Sequence, residues 1–160
     1  MEQAIKTIKA IRREIDTCIN SIIHLAPSAE ITLAKRELQR SKMWLGQFLG
    51  SLGTPDPYPE SSDPTSKVIE DQAEHSQITF LSIAEYSSCL DQISKVKFFR
   101  EYIQGTVTTF RKDIFESGEI GKFVKDDSKF FANESWLRLM ESKMWLGIEL
   151  NRIHESTKQN

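Results

Sequence analysis

SKMWLG at residues 41–46 returns without change at residues 142–147, a displacement of 101 residues. An identical hexapeptide at that separation marks an internal duplication, so whatever fold one copy adopts the other should adopt too. Upstream of it, IKAIRREI (Ile8 to Ile15) lines up with VKFFREYI (Val96 to Ile103) at a displacement of 88 residues. The two displacements differ by 13 (101 minus 88), which places an insertion between the two helices of the second copy, around SGEIGKFVKDD.

Each copy reads as a helical hairpin. Ala4, Ile8, Ile11, Ile15, Ile19 and Ile22 recur every three or four positions, which puts them on one stripe of a helix over about residues 2–25, broken by Pro27. Ser28 is a good N-cap and Glu30 falls in the first turn of the next helix, where the dipole favours a negative charge. That second helix carries Ile31, Ala34, Leu38, Leu45, Leu49 and Leu52 on one face and ends near Gly50 and Gly53. So short a connection makes the two helices antiparallel. Four of the five prolines lie in GTPDPYPESSDP, residues 53–64, which predicts an extended linker. Lys67 to Gln77 is polar. A third helix is expected from near Ile83, through Tyr86, Leu90, Ile93, Val96, Phe99, Ile103, Val107, Phe110 and Ile114, to just before Gly118 and Gly121. The fourth is expected from near Asn133, with Trp136, Leu139, Leu146, Leu150 and Ile153 on its face. The chain is thus all-α: two tandem antiparallel hairpins with four main helices, hairpin one at 1–53, a Pro-rich and polar linker at 54–77, and hairpin two at 78–160.

Composition narrows the function. With 39% apolar and 28% charged residues the balance is that of a chain with a packed core. No uncharged apolar run approaches the roughly 20 residues that span a bilayer, and MEQAIKTIKAIRREI is charged throughout, unlike a signal peptide. A cytoplasmic protein without a membrane partner is expected. The net charge of −2 argues against binding long nucleic acids, which requires a basic surface. Cys18 and Cys89 lack the spacing of a zinc site or disulfide framework and read as buried thiols. His24, His75 and His154 are scattered, and the adjacent Asp126 and Asp127 read as capping residues rather than a catalytic pair. No phosphate loop, HExxH or GxSxG occurs, so no enzyme, cofactor or metal is expected.

At 100° per residue Trp44 falls about 100° from the hairpin's apolar stripe and Met43 about 160°. Met43, Trp44, Met144 and Trp145 are therefore interface candidates, either burying one another between the two hairpins or joining chains into an oligomer. Gly46 and Gly147 sit inside helices at a cost of about 1 kcal/mol each, which suggests close approach of a backbone or a ligand. Basic residues are richer in hairpin one, on Lys6, Lys9, Arg12 and Arg13 and again on Lys35, Arg36, Arg40 and Lys42. Hairpin two keeps Lys97, Arg100 and Lys143, but has Trp136 opposite Lys35, Leu137 opposite Arg36 and Glu141 opposite Arg40.

TLAKRELQRSKMWLGQFLG, followed by a linker bearing Pro-Tyr-Pro, resembles the helical-hairpin domain of phage immune-evasion sponges, the anti-CBASS cyclic-nucleotide sponge and its Thoeris anti-defence relative. Ala34, Lys35, Leu38, Met43, Trp44 and Leu45 match that pattern, as do Ser135, Leu139, Met144, Trp145 and Leu146 in the second copy. Arg36 stands where threonine is usual, Trp136 and Leu137 replace the basic residue and the threonine, and a tyrosine ahead of the first helix has no counterpart in hairpin one. The resemblance implies a non-enzymatic protein of the host bacterial cytoplasm that withholds cyclic di- or trinucleotides, or cyclic ADP-ribose-type signals, from a defence effector. It implies ligand contacts at Lys9, Arg12, Lys35 and Arg36, with Lys97 and Arg100 supporting a second, altered site. Because such sponges are hexamers of single hairpins, it also implies a homo-oligomer, a trimer of tandem chains. The alternative is a helical assembly module in which SKMWLG is a protein–protein contact and no nucleotide is bound.

Overall fold

Apolar residues at helical spacing, closed by caps, generate the elements. A computed structural model describes residues 1–54, 91–122 and 125–159. The Pro-rich linker, the polar stretch to Gln77, and the expected start of the third helix with Tyr86, Cys89 and Leu90 lie outside the described residues, as does His75.

Helix α1 (Glu2–Ile22) buries Ala4, Ile8, Ile11, Ile15, Cys18 and Ile22 along the expected stripe. Helix α2 (Ala29–Ser51) starts on Ser28, whose hydroxyl accepts from the Ile31 N–H at 3.1 Å. It ends on Gly53, whose φ of 81° lies in the left-handed region that favours glycine. The Gly53 N–H donates to the Gly50 carbonyl and the Thr54 N–H to that of Leu49, so carbonyls of the last turn find partners beyond the helix end. Helix α3 (Gln92–Phe110) is capped by Asp91, which accepts from the Ser94 N–H at 2.8 Å. It runs into a π-helical segment (Arg111–Glu116) and a helical turn (Gly118–Gly121), and helix α4 (Asp126–Lys158) completes the chain.

Two sequence expectations need correcting. Helix α4 begins two turns before Asn133, and Asp126 and Asp127 occupy its first turn rather than capping it from outside. Carboxylates there complement the helix dipole, and the early start brings Phe130 and Phe131 against Trp44. The insertion is where the two displacements put it. Ile22, the end of α1, corresponds to Phe110, the end of α3; between there and the counterpart of Ala29, residues 23–28 become residues 111–129, which is 13 more. The described residues of this longer stretch form the π segment, the single turn and the start of α4.

All four helices share one core, and the broadest contact is between α2 and α4, the two that carry SKMWLG. They run antiparallel: Glu30 reaches Arg152 at one end, Glu37 reaches Arg138 in the middle, and Trp44 stacks on Phe131 at the other. Small side chains line the seam. Ala34, Ser41, Ser135 and Ser142 are fully buried, so the backbones approach closely enough for reciprocal bonds, Ser41 Oγ to the Ser135 carbonyl at 2.7 Å and Ser135 Oγ to the Ser41 carbonyl at 2.8 Å.

The hairpins are related by an internal two-fold axis. At the displacement of 88, Tyr102 corresponds to Glu14 and Thr106 to Cys18. Across the α1–α3 contact Glu14 meets Thr106 while Cys18 lies by Tyr102, so each pair is the other turned round. That reciprocity defines an isologous interface. Position 37 and its counterpart 138 face each other on the axis, one as glutamate and the other as arginine.

Candidate functional site

Within each hairpin the same register sets one contact twice. Lys42 of α2 pairs with Asp16 of α1, and its counterpart Lys143 of α4 donates to the side-chain oxygen of Gln104, the counterpart of Asp16. One turn further along, Arg100 of α3 lies across Gly147 of α4. A Cβ built on that glycine would stand 3.4 Å from Arg100 Nε and 3.6 Å from a terminal nitrogen. What approaches this glycine is thus a guanidinium from its own hairpin, at a distance that a methyl group would tolerate, and not the backbone or ligand that its helical position suggested.

Arg100, Lys143 and Gly147 line an open groove of about 490 Å³ between α3 and α4, walled by Met140, Met144 and Ile148. Arg100 Nε is buried and makes no hydrogen bond. Lys143 bonds a neutral amide. Two cations beside an apolar wall form a place for an anion with a hydrophobic portion.

Hairpin one builds the corresponding place differently. Its Arg12 is 2% exposed and faces Asp16, whose carboxyl is pushed up by burial while Lys42 and Arg12 draw it down. Met140 and Ile148 correspond there to Gln39 and Gln47, both exposed. The register set by Asp16 and Lys42 places Lys35 level with Ile23 and Lys9 level with Leu49, so within hairpin one Lys9 and Lys35 stand roughly 21 Å apart along the helices. Lys9 and Lys35 are half-buried, and Arg36 is exposed. The structure does not bring Lys9, Arg12, Lys35 and Arg36 into one pocket of that hairpin. Of the six expected ligand residues Arg100 lines the groove, and Lys97 is exposed about one turn before it on α3.

The sequence shows more cations in hairpin one; it shows Lys143 among the basic residues of hairpin two but gives no sign that Lys143 lines a groove with Met140 and Ile148. What the alignment of the two copies does carry is the difference between them, since displacements of 88 and 101 residues match Asp16 to Gln104 and Gln39 to Met140.

The four interface candidates divide. Trp44 is covered by the other hairpin, stacked on Phe131 with centroids 6.0 Å apart and edge-on to Phe130 at 5.7 Å. Trp145 packs half-buried against the core, and Met43 and Met144 are exposed. Buried carboxylates elsewhere are held by salt bridges: Glu149 by Arg152 through both oxygens at 2.8 and 2.9 Å, which lowers its pKa, and Glu37 by Arg40 at 2.8 Å, with burial pushing its pKa up. Among the described residues no three His, Cys, Asp or Glu side chains are grouped to hold a metal, and no helix is long and apolar enough to cross a membrane.

Gly147→Ala should raise stability by up to about 1 kcal/mol, the helix-propensity difference. The added methyl meets only the mobile end of Arg100 at van der Waals distance. Thermal melting checks this, and a lowered Tm would mean that the backbone there is tighter than the geometry indicates.

These features define an internally duplicated four-helix protein with a cationic groove in its second half. Compared with protein-family models, curated proteins and solved structures, the chain matches none.

Proposed function

We propose that this protein binds and sequesters a small phosphate-bearing signal of the cyclic di- or trinucleotide or cyclic ADP-ribose type, without turning it over. The observation that carries the reading is the groove of hairpin two, where Arg100 and Lys143 stand beside Met140, Met144 and Ile148. Phosphate oxygens take charge-assisted bonds from the cations, and the apolar wall takes the face of a base. This agrees with the resemblance carried by SKMWLG and its flanks, which adds the biological setting: a phage protein acting in the host bacterial cytoplasm to keep a defence signal from its effector.

Calorimetry against a panel of cyclic di- and trinucleotides and cyclic ADP-ribose isomers is the test, followed by recovery of the ligand after heating. Binding of at least one member and return of that member intact is the expected result. No binding to any member removes the proposal, and a degraded ligand replaces it with an enzyme.

One observation favours the assembly reading as a second. Phe130, Leu137, Met144 and Ile148 are 54%, 47%, 49% and 38% exposed and fall within about 40° of one another around α4, a stripe roughly 27 Å long. Their counterparts in α2 are Ala29, Arg36, Met43 and Gln47, so the stripe belongs to hairpin two alone. Assembly through it, as a trimer or otherwise, would share Met144 and Ile148 with the groove and is read out by mass in solution.

A further inference from the structure

The duplication supplies its own control for the groove, because the same contact exists twice with one chemical difference. In hairpin one the lysine of SKMWLG meets a carboxylate, Asp16, and in hairpin two it meets an amide, Gln104. The arginine one turn away follows suit. Arg12 is buried within electrostatic reach of the Asp16 carboxylate, whereas Arg100 is half-buried and the corresponding position beside it is the neutral amide of Gln104. A carboxylate placed between a lysine and an arginine is chemically the same kind of partner as a phosphate oxygen: an oxyanion accepting charge-assisted hydrogen bonds. Hairpin one therefore carries its anion as part of the chain.

We propose that position 16 and its counterpart 104 decide occupancy. Asp16 acts as a built-in counter-anion that closes the site of hairpin one, while Gln104 leaves Arg100 and Lys143 free to take one external oxyanion per chain. This deepens the sequestration reading of the groove and rests on it for the identity of the ligand. The walls agree with the assignment. Met140 and Ile148 offer an apolar flank to a ring, where Gln39 and Gln47 offer none.

The charge balance gives the expected direction in both hairpins. A carboxylate at position 104 would neutralise the two cations internally and repel an incoming anion, so Gln104→Asp should weaken anion binding by about tenfold or more. Asp16→Gln reproduces in hairpin one the amide–lysine pair that hairpin two already tolerates. It should raise the number of anions bound per chain from one to two.

The experiment is calorimetric titration of the full chain and both variants with inorganic pyrophosphate at low ionic strength, with circular dichroism to confirm the helical fold. A parallel titration uses the cyclic-nucleotide panel. One pyrophosphate per wild-type chain, a loss with Gln104→Asp and a gain with Asp16→Gln support the inference. Unchanged affinity in Gln104→Asp, unchanged stoichiometry in a folded Asp16→Gln, or no pyrophosphate bound by the wild type each overturns it. Should Asp16→Gln fail to fold, Gln104→Asp decides alone. If pyrophosphate behaves as expected and no cyclic nucleotide binds, the switch stands and the sequestration reading falls. If a cyclic nucleotide binds wild type and Gln104→Asp equally, the reverse holds.

Discussion

Ser135→Leu is expected to destabilise the fold by about 4 kcal/mol, enough to consume much of the stability of a domain this size. The side chain lies at the centre of the α2–α4 seam, fully buried, with its hydroxyl on the Ser41 carbonyl and the Ser41 hydroxyl on its own carbonyl. A leucine there must push the helices apart. Separation forfeits both bonds and the close packing of Ala34 and Ser142 along the same seam. Ser135→Ala is the control. It removes one hydroxyl while leaving the Ser41 bond and the spacing intact, so its cost should be about 1 kcal/mol. Urea unfolding of the two variants separates them, and equal midpoints would show that the seam is loose enough to absorb a larger side chain. The asymmetry of the pair has a reading in the duplication. Position 34 is alanine where its counterpart is Ser135, so the mirrored contact with Ser142 lacks a hydroxyl, and Ser142 turns back to the Leu139 carbonyl at 2.7 Å.

The same axis disfavours pairing of hairpin one with a second hairpin one. Residue 37 sits where the two copies meet, and Glu37 is 5% exposed. Two copies of hairpin one would bring two glutamates together in a buried seam, a juxtaposition that costs several kcal/mol. In the chain itself Glu37 faces Arg138, which is further held by Glu134 at 3.2 Å and Glu141 at 3.0 Å. Charge at that position thus favours the pairing of unlike hairpins. The salt bridges contribute less to net stability than to that selection, since desolvation offsets much of their attraction.

The fold was legible because its signals are local. Periodic isoleucines in α1, the Ser28 cap and the repeat of SKMWLG each need only a few neighbouring residues, and the difference between two displacements located an insertion that no periodicity could show. The start of α4 was missed for the opposite reason. DDSKFF lacks an apolar stripe of its own, and what recruits it is Trp44, more than 80 residues earlier in the chain. The site was legible only in part. Counting cations favoured hairpin one, yet charge is a property of neighbourhoods, and the carboxylate of Asp16 that offsets Arg12 and Lys42 lies on the partner helix of the latter. Arg100 was named, but the meaning of Gln104 required knowing that it stands beside Lys143.

Glu14→Gln should stabilise the protein at pH 8 by on the order of 2–3 kcal/mol and leave it nearly unchanged at pH 4. Glu14 lies in the α1–α3 contact, where burial, with Asp113 adding repulsion, pushes its pKa up to about 7 against the relief given by the Thr106 hydroxyl. Cys18 and Tyr102 beside it are likewise pushed up by burial, so among these neighbours no cation offsets the charge. Below about pH 4.5 the carboxyl is protonated in both the folded and the unfolded chain, and burying it costs little. Between about 4.5 and 7 the folded state holds a proton that the unfolded state has released, so stability falls as pH rises. Above 7 the folded chain carries the charge in full. A glutamine keeps the shape and the partner for Thr106 without the charge, and its benefit must therefore grow across that window. Asp16 and Glu37, also pushed up by burial, shift the pH dependence of both chains alike and cancel in the comparison. Urea midpoints of wild type and variant at pH 4, 6 and 8 give the difference directly. A gain equal at all three values would assign the effect to packing, whereas one that opens between pH 4.5 and 7 places a buried carboxylate at the contact between the two hairpins.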